Sequence, residues 1–280
     1  MQRPLRQIPV PSQYESDSKH SGKGVDIGFL LAGQQAVAVY QAFRRTWFEG
    51  GYARSFGACS MVELEPHHGR ASEITFPDAL PVLDLERGAD LVFVLYDQGA
   101  IRAQLEQSLQ RLAACRSLVV MVPVGEDVFK PRVHGSSFLS LTGCGCEKPV
   151  LSYPVIIVQM LIGLMVTLLD LGIICVDFSD LTTLVMAAKQ QHLVFQGEVL
   201  AADERLADAL ANLTAQVNIC DAKGYLMVVK SGHGVRLNDV AQAGEVLQDA
   251  YPESAVGLIA MPQFYCQPGF SPAVLLYTVY

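Results

Sequence analysis

Val150 to Leu169 runs for twenty residues without a charged side chain. A segment of roughly 18 or more apolar residues is long enough to cross a bilayer. A helix that is apolar on every side can equally be the buried spine of a large soluble domain. Whatever the chain folds into must hide this segment. It must also place the acidic sequence just beyond it, Cys175-Val-Asp-Phe-Ser-Asp180, in which Asp177 and Asp180 stand three apart around Phe178. An uncharged rod that delivers a small acidic loop is an uncommon arrangement, and the flanking sequence decides between the two readings.

Both flanks read as water-soluble α/β sequence, and no Lys/Arg cluster borders either end of the rod to set a membrane orientation. The buried spine is therefore favoured, with no transmembrane segment and a cytoplasmic location. With 280 residues the chain can bury a large core and hold two domains. Twenty basic residues face 28 acidic ones, a net charge of −8, and Arg44–Arg45 is the only adjacent basic pair. That balance argues against a phosphate-backbone partner, so no nucleic acid is expected. Seven cysteines are scattered without a C-x-x-C pair, which suits buried thiols in a reducing compartment better than a disulfide framework. Cys144 and Cys146 lie in a Gly-rich stretch, but only His67 and His68 could complete a ligand set, so no metal site is assigned. Residues 1–24 are polar and lack the apolar stretch of a secretory signal; they are expected to be a disordered tail.

Residues 25–149 have the order of a mostly parallel, three-layer domain. Val25 to Ala32 is an apolar run that stops at Gly33, and a helical pattern continues from Gln34 to Phe48. The turn between them is a place where backbone N–H groups attract anions. Phe56 to Leu64 reads as a strand and Pro66 to Asp78 as a loop. Asp90 to Tyr96 and Ser117 to Val122 are near-continuous apolar runs, as in strands covered on both faces. Gly99 to Cys115 is an amphipathic helix between them. Glu126 to Pro149 shows no strong period. The rod, residues 150–180 with its acidic loop, starts helically at Pro154, and Asp177 or Ser179 suits the N-cap of the next helix. Residues 181–280 read as a smaller α+β domain. His192 to Leu200 is compatible with a strand, Asp203–Leu213 and Leu237–Ala250 with helices, and Tyr225–Val229, Ala255–Met261 and Ala273–Tyr280 with strands. Its returning charge suggests a sheet with one solvated face.

A two-domain chain joined by a long central helix, with Gly172-Ile-Ile-Cys-Val-Asp-Phe-Ser-Asp180 at its end, resembles the FtsZ/tubulin superfamily, whose bacterial pattern is G-L-I-N-V-D-F-A-D. Gly88-Ala-Asp-Leu-Val-Phe93, Asp203-Glu-Arg-Leu-Ala207 and Asp221-Ala-Lys-Gly-Tyr-Leu226 extend the likeness over roughly residues 25 to 280. The resemblance implies a GTP site in the first domain and a filament that grows head to tail, from this chain or with an FtsZ-like homologue. The acidic loop of one subunit would complete the nucleotide site of the next. Asp177 and Asp180 are then the candidate catalytic groups, because a carboxylate can orient the water that attacks a phosphoryl group. Cys175 replaces the pattern's asparagine and cannot reproduce an amide's hydrogen bonds.

The nucleotide side departs from the pattern. Ala32-Gly33-Gln34 retains part of the first glycine-rich turn. Where a G-G-G-T-G-T-G loop should come after Phe93, this chain has Tyr96-Asp97-Gln98-Gly99-Ala-Ile-Arg102. Side chains stand where bare backbone must approach phosphates. Gly33, Gln34, Asp97, Gly99 and Arg102 are the candidate nucleotide residues, with Asp97 opposing a phosphate and Arg102 partly compensating. The expectation is a divergent FtsZ-like cytoskeletal or cell-division protein with weak or lost GTP binding, acting by head-to-tail self-assembly or by capping or modulating the filaments of an active homologue, Mg2+ being relevant only if GTP binds. The alternative is an active GTP-dependent filament-forming GTPase.

Overall fold

The computed structural model describes residues 25–52, 60–64, 71–72, 83–125, 128–132, 138–143, 153–170, 172–186, 192–200, 205–232, 234–266 and 270–280. Cys59, His67, His68, Cys144 and Cys146 and the expected tail at residues 1–24 lie outside these. Chain order begins with β1 (Ile27–Ala32), α1 (Gln34–Glu49), β2 (Ser60–Leu64), β3 (Ala71–Ser72), β4 (Leu91–Tyr96), α2 (Arg102–Ala114) and β5 (Leu118–Pro123). Next come β6 (Phe138–Gly143), the central helix α3 (Tyr153–Leu169), α4 (Phe178–Met186), β7 (His192–Leu200) and α5 (Leu206–Thr214). The chain finishes with β8 (Gly224–Lys230), α6 (Leu237–Ala250), β9 (Val256–Ala260), a 3-10 turn at Gln263–Cys266 and β10 (Ala273–Val279).

The strands form one hydrogen-bonded sheet in the order β3-β2-β1-β4-β5-β6-β7-β10-β8-β9. Most neighbours are parallel; β2–β3, β7–β10 and β10–β8 are antiparallel. This is the mixed, mostly parallel α/β class expected. Its strands are apolar on both faces because helices cover both. Alternate residues of β1 and β4 enter different cores: Phe29, Leu31, Phe93 and Leu95 face α1 and the central helix, while Leu30, Val92 and Val94 face α2.

The central helix belongs to the first of these cores, which runs under both halves of the sheet. Met160, Leu161, Leu164, Met165 and Val166 are fully buried in it. Such a helix needs no polar stripe, which explains its uncharged sequence. Gly163 lets it approach β10: a β-carbon there would lie 2.5 Å from the Tyr277 hydroxyl and 2.7 Å from Leu275 Cδ1. The Tyr277 hydroxyl donates to the Met160 carbonyl at 2.8 Å, so a buried polar group is satisfied where sheet and helix meet. No helix among the described residues is long and apolar enough to cross a membrane.

Four expectations are corrected. The stretch with no clear period contains β6, which pairs in parallel with both β5 and β7 and joins the two halves of the sheet. Ala71–Ser72, inside the expected loop, pairs with β2. The C-terminal part of the sheet has no solvated face along β8 and β10, which are buried almost throughout, because α5 and α6 cover the side opposite the central helix. Among the described cysteines, Cys175 and Cys220 are exposed and Cys115 and Cys266 half-buried, not core thiols.

Candidate functional site

The sheet order places a crevice before any side chain is considered. From β1 the chain passes to β2 on one side, and later to β4 on the other. Ligands of open α/β sheets bind beyond the carboxyl ends of strands where the order reverses in this way. Here those ends are Ala32 and Tyr96, paired in register. The next residues are Gly33 and Asp97.

Gly33 is the N-cap of α1, with φ 104 and no side chain to cap it. The first N–H groups of a helix have no partner within it. An N-cap oxygen usually takes those of the second and third residues. Here a residue some sixty positions away does so. Asp97 Oδ2 accepts from Gln35 N–H at 2.5 Å and Ala36 N–H at 3.1 Å. Its Oδ1 accepts from Gly99 N–H at 2.6 Å. The carboxylate is only 3% exposed. Three charge-assisted hydrogen bonds and the positive end of α1 make that burial tolerable. A β-carbon at Gly33 would overlap the carboxylate, and φ in the left-handed region adds a second reason for glycine.

The structure thus brings Gly33, Asp97 and Gly99 into one cluster. Gln34 opens α1 beside it, exposed. Arg102 is directed elsewhere: its Nε donates to Glu106 Oε1 at 2.9 Å and its Nη2 to the Lys130 carbonyl at 3.4 Å. Its guanidinium lies over the Phe129 ring, 5.7 Å from the centroid. The sequence identified Asp97 as a charge near the crevice but did not reveal that Gln35 and Ala36 would receive it.

The acidic loop is built locally. Asp180 N–H donates to Asp177 Oδ1 at 2.8 Å, and Asp177 N–H donates to Asp180 Oδ2 at 3.0 Å. The Ser179 hydroxyl also donates to Asp177 Oδ1, at 2.7 Å. This is a reciprocal capping box on α4, with Asp177 as N-cap. Asp177 is exposed and Asp180 half-buried. Partial burial raises the Asp177 pKa, but the hydrogen bonds from Ser179 and Asp180 together outweigh it and leave the carboxyl below its usual range. Both carboxylates keep oxygen lone pairs open to solvent, so capping leaves them able to accept from a docked group. Cys175 Sγ lies 3.3 Å from the Gly172 carbonyl.

Among the described residues, no group of three His, Cys, Asp or Glu side chains is placed to hold a metal. No family model matches the chain and no curated protein is similar to it. Solved structures are. A tryptophan-to-tyrosine mutant of FtsZ from M. jannaschii superimposes with a TM-score of 0.60 at 13% identity, over 92% of this chain and 91% of that one. An empty FtsZ dimer from M. jannaschii gives 0.60 and 13%, over 97% and 93%. TubZ of Bacillus thuringiensis serovar israelensis, in GDP-form protofilaments, gives 0.55 and 12%, over 91% and 84%. The fold is that of FtsZ and TubZ. On this FtsZ-like fold the two clusters have different construction: Asp97 spans the turns after β1 and β4, whereas Asp177 and Asp180 cap one helix from within.

Proposed function

We propose that this is a tubulin-like cytoskeletal protein of the cytoplasm, of the kind used in cell division, which assembles head to tail with itself or with an FtsZ-like homologue. It does so with weak or lost dependence on GTP. The similarity to an FtsZ dimer and to TubZ protofilaments supports assembly as the mode of action. One observation carries the nucleotide part of the reading: the Asp97 carboxylate already lies on the N–H groups of Gln35 and Ala36. A phosphate does not fit this arrangement. It would meet a buried negative charge where it needs open donors, and Arg102 is engaged with Glu106 and Lys130. The acidic loop keeps its two carboxylates, so Asp177 and Asp180 are assigned to the contact with the next subunit.

The reading is tested by sedimentation and negative-stain microscopy of purified protein without nucleotide, with GDP and with GTP plus Mg2+. Assembly of equal extent in all three is expected, reduced by Asp177→Ala. Assembly that requires GTP and is accompanied by phosphate release would favour the other reading, an active filament-forming GTPase.

A further inference from the structure

Helix α1 has unlike contacts at its two ends. Its N-terminus holds the Asp97 carboxylate. Its C-terminus leads into a ladder of aromatic rings that crosses to the other half of the sheet. Phe43 stacks on Trp47 at 5.6 Å, Trp47 on Tyr52 at 5.3 Å with an interplanar angle of 16°, and Tyr52 meets Phe264 at 4.7 Å.

The turn that receives the ladder, Gln263–Cys266, is itself firmly held. Asp170, just past the central helix, accepts the Phe264 N–H at 2.6 Å. Tyr265 is buried beneath the Lys230 ammonium, 5.2 Å from its ring centroid. Lys230 is paired with Glu198 at 2.7 Å, with both side chains mostly out of water. A helix of 16 residues is a rod of about 24 Å. Whatever fixes its axial position at one end fixes the ring stack at the other, because packed interiors transmit displacement with little compression.

We propose that Asp97 is a built-in anion that fixes α1 along its axis. Through Trp47 and Tyr52, α1 passes this constraint to the turn at Gln263–Cys266, so the two halves hold one arrangement without an external ligand. The role given to Asp97 rests on the same reading of the crevice as the proposed function and adds a consequence to it. The site is occupied from within, and its occupation is felt across the sheet.

Trp47 is the only tryptophan in the chain, so its emission reports on the ladder without labelling. The experiment compares full-length wild type, Asp97→Gly and Asp97→Asn in chloride and in inorganic phosphate at matched ionic strength. It reads Trp47 emission, Tm and amide exchange at Phe264 and Gly232, the latter amide being bonded to the Tyr265 carbonyl. In chloride, Asp97→Gly is expected to lower Tm by about 5 °C, shift Trp47 emission to the red and lose protection at both amides. Millimolar phosphate is expected to restore all three, because the emptied helix N-terminus then accepts an external anion. Asp97→Asn, which keeps the shape and removes the charge, is expected to show a smaller change of the same sign; it carries the test if the glycine variant does not fold. Either folded variant with wild-type emission and exchange would overturn the proposal, as would a phosphate response equal in wild type and variants. Binding of GTP to wild type would instead refute the proposed function; the Trp47 comparison is made without nucleotide and stands or falls separately.

Discussion

The acidic groups at the N-termini of α4 and α1 are assembled in opposite ways. Asp177 and Asp180 cap α4 from inside the helix they serve, three residues apart and open to water. Asp97 caps α1 from another strand and is almost fully buried. The local pair uses only part of its hydrogen-bonding capacity on the cap. The distant carboxylate is committed: both its oxygens are used, and burial raises the cost of leaving its partners unmet. Similar chemistry therefore leaves carboxylates with spare hydrogen-bonding capacity in one place and a buried, fully bonded carboxylate beside the crevice in the other.

The comparison is broken most easily at Gly33. Gly33→Ala combines overlap with Asp97 and a left-handed backbone, and a loss of about 3 kcal/mol or more is expected in urea unfolding. A loss under about 1 kcal/mol would mean that the carboxylate does not sit where described. Asp97→Asn should come next at about 2 kcal/mol, since one amide oxygen cannot serve both sides and the charge is gone. Asp177→Ala should remove about 1 kcal/mol and Asp177→Asn only a few tenths, because asparagine still caps. If Asp177→Asn nonetheless abolishes assembly, the loop acts through its charge at the subunit contact as well as by capping.

The smallest effect concerns acid titration of the protein. Burial lowers the His192 pKa, aided by the Lys130 charge, and its Nε2 lies 2.8 Å from Thr142 Oγ1. A histidine with a depressed folded pKa gives no stability difference well above about 6.5, where it is neutral in both states. Below that, the unfolded chain binds the proton first, so stability falls as pH drops toward the folded pKa. Tm should decline between about pH 7 and 5 for this reason, and His192→Gln should flatten that decline. Asp177, also depressed, acts lower: its contribution is present above about 3.8 and is lost as pH falls through its folded pKa.

The sequence exposed the features whose causes are local. Buried parallel strands such as Leu91–Tyr96, the amphipathic α6 and the Asp177 cap come from periodicity and spacing alone. The rod could be recognised as a core helix because its flanks read as α/β sequence, and Gly163 inside it makes sense only once β10 lies against it. Strand β6 was not legible: Phe-Leu-Ser-Leu-Thr-Gly is short, and its reason for being extended is the pair of neighbours it meets, β5 and β7. The same is true of the crevice. A negative charge at Asp97 could be read as an obstacle to phosphates; that its carboxylate would accept from the Gln35 and Ala36 N–H groups depends on two turns separated by some sixty residues. The aromatic ladder from Trp47 to Phe264 likewise joins residues far apart in the chain.

The proposal that Asp97 closes the crevice to nucleotide is tested most directly by calorimetric titration of GTP with Mg2+ into purified protein, after chromatography of any nucleotide released on denaturation. A crevice filled by Asp97 gives no co-purified nucleotide and no saturable heat at micromolar concentrations. One equivalent of guanine nucleotide released from the protein, or a saturable micromolar isotherm lost in Gly33→Ala, would contradict it.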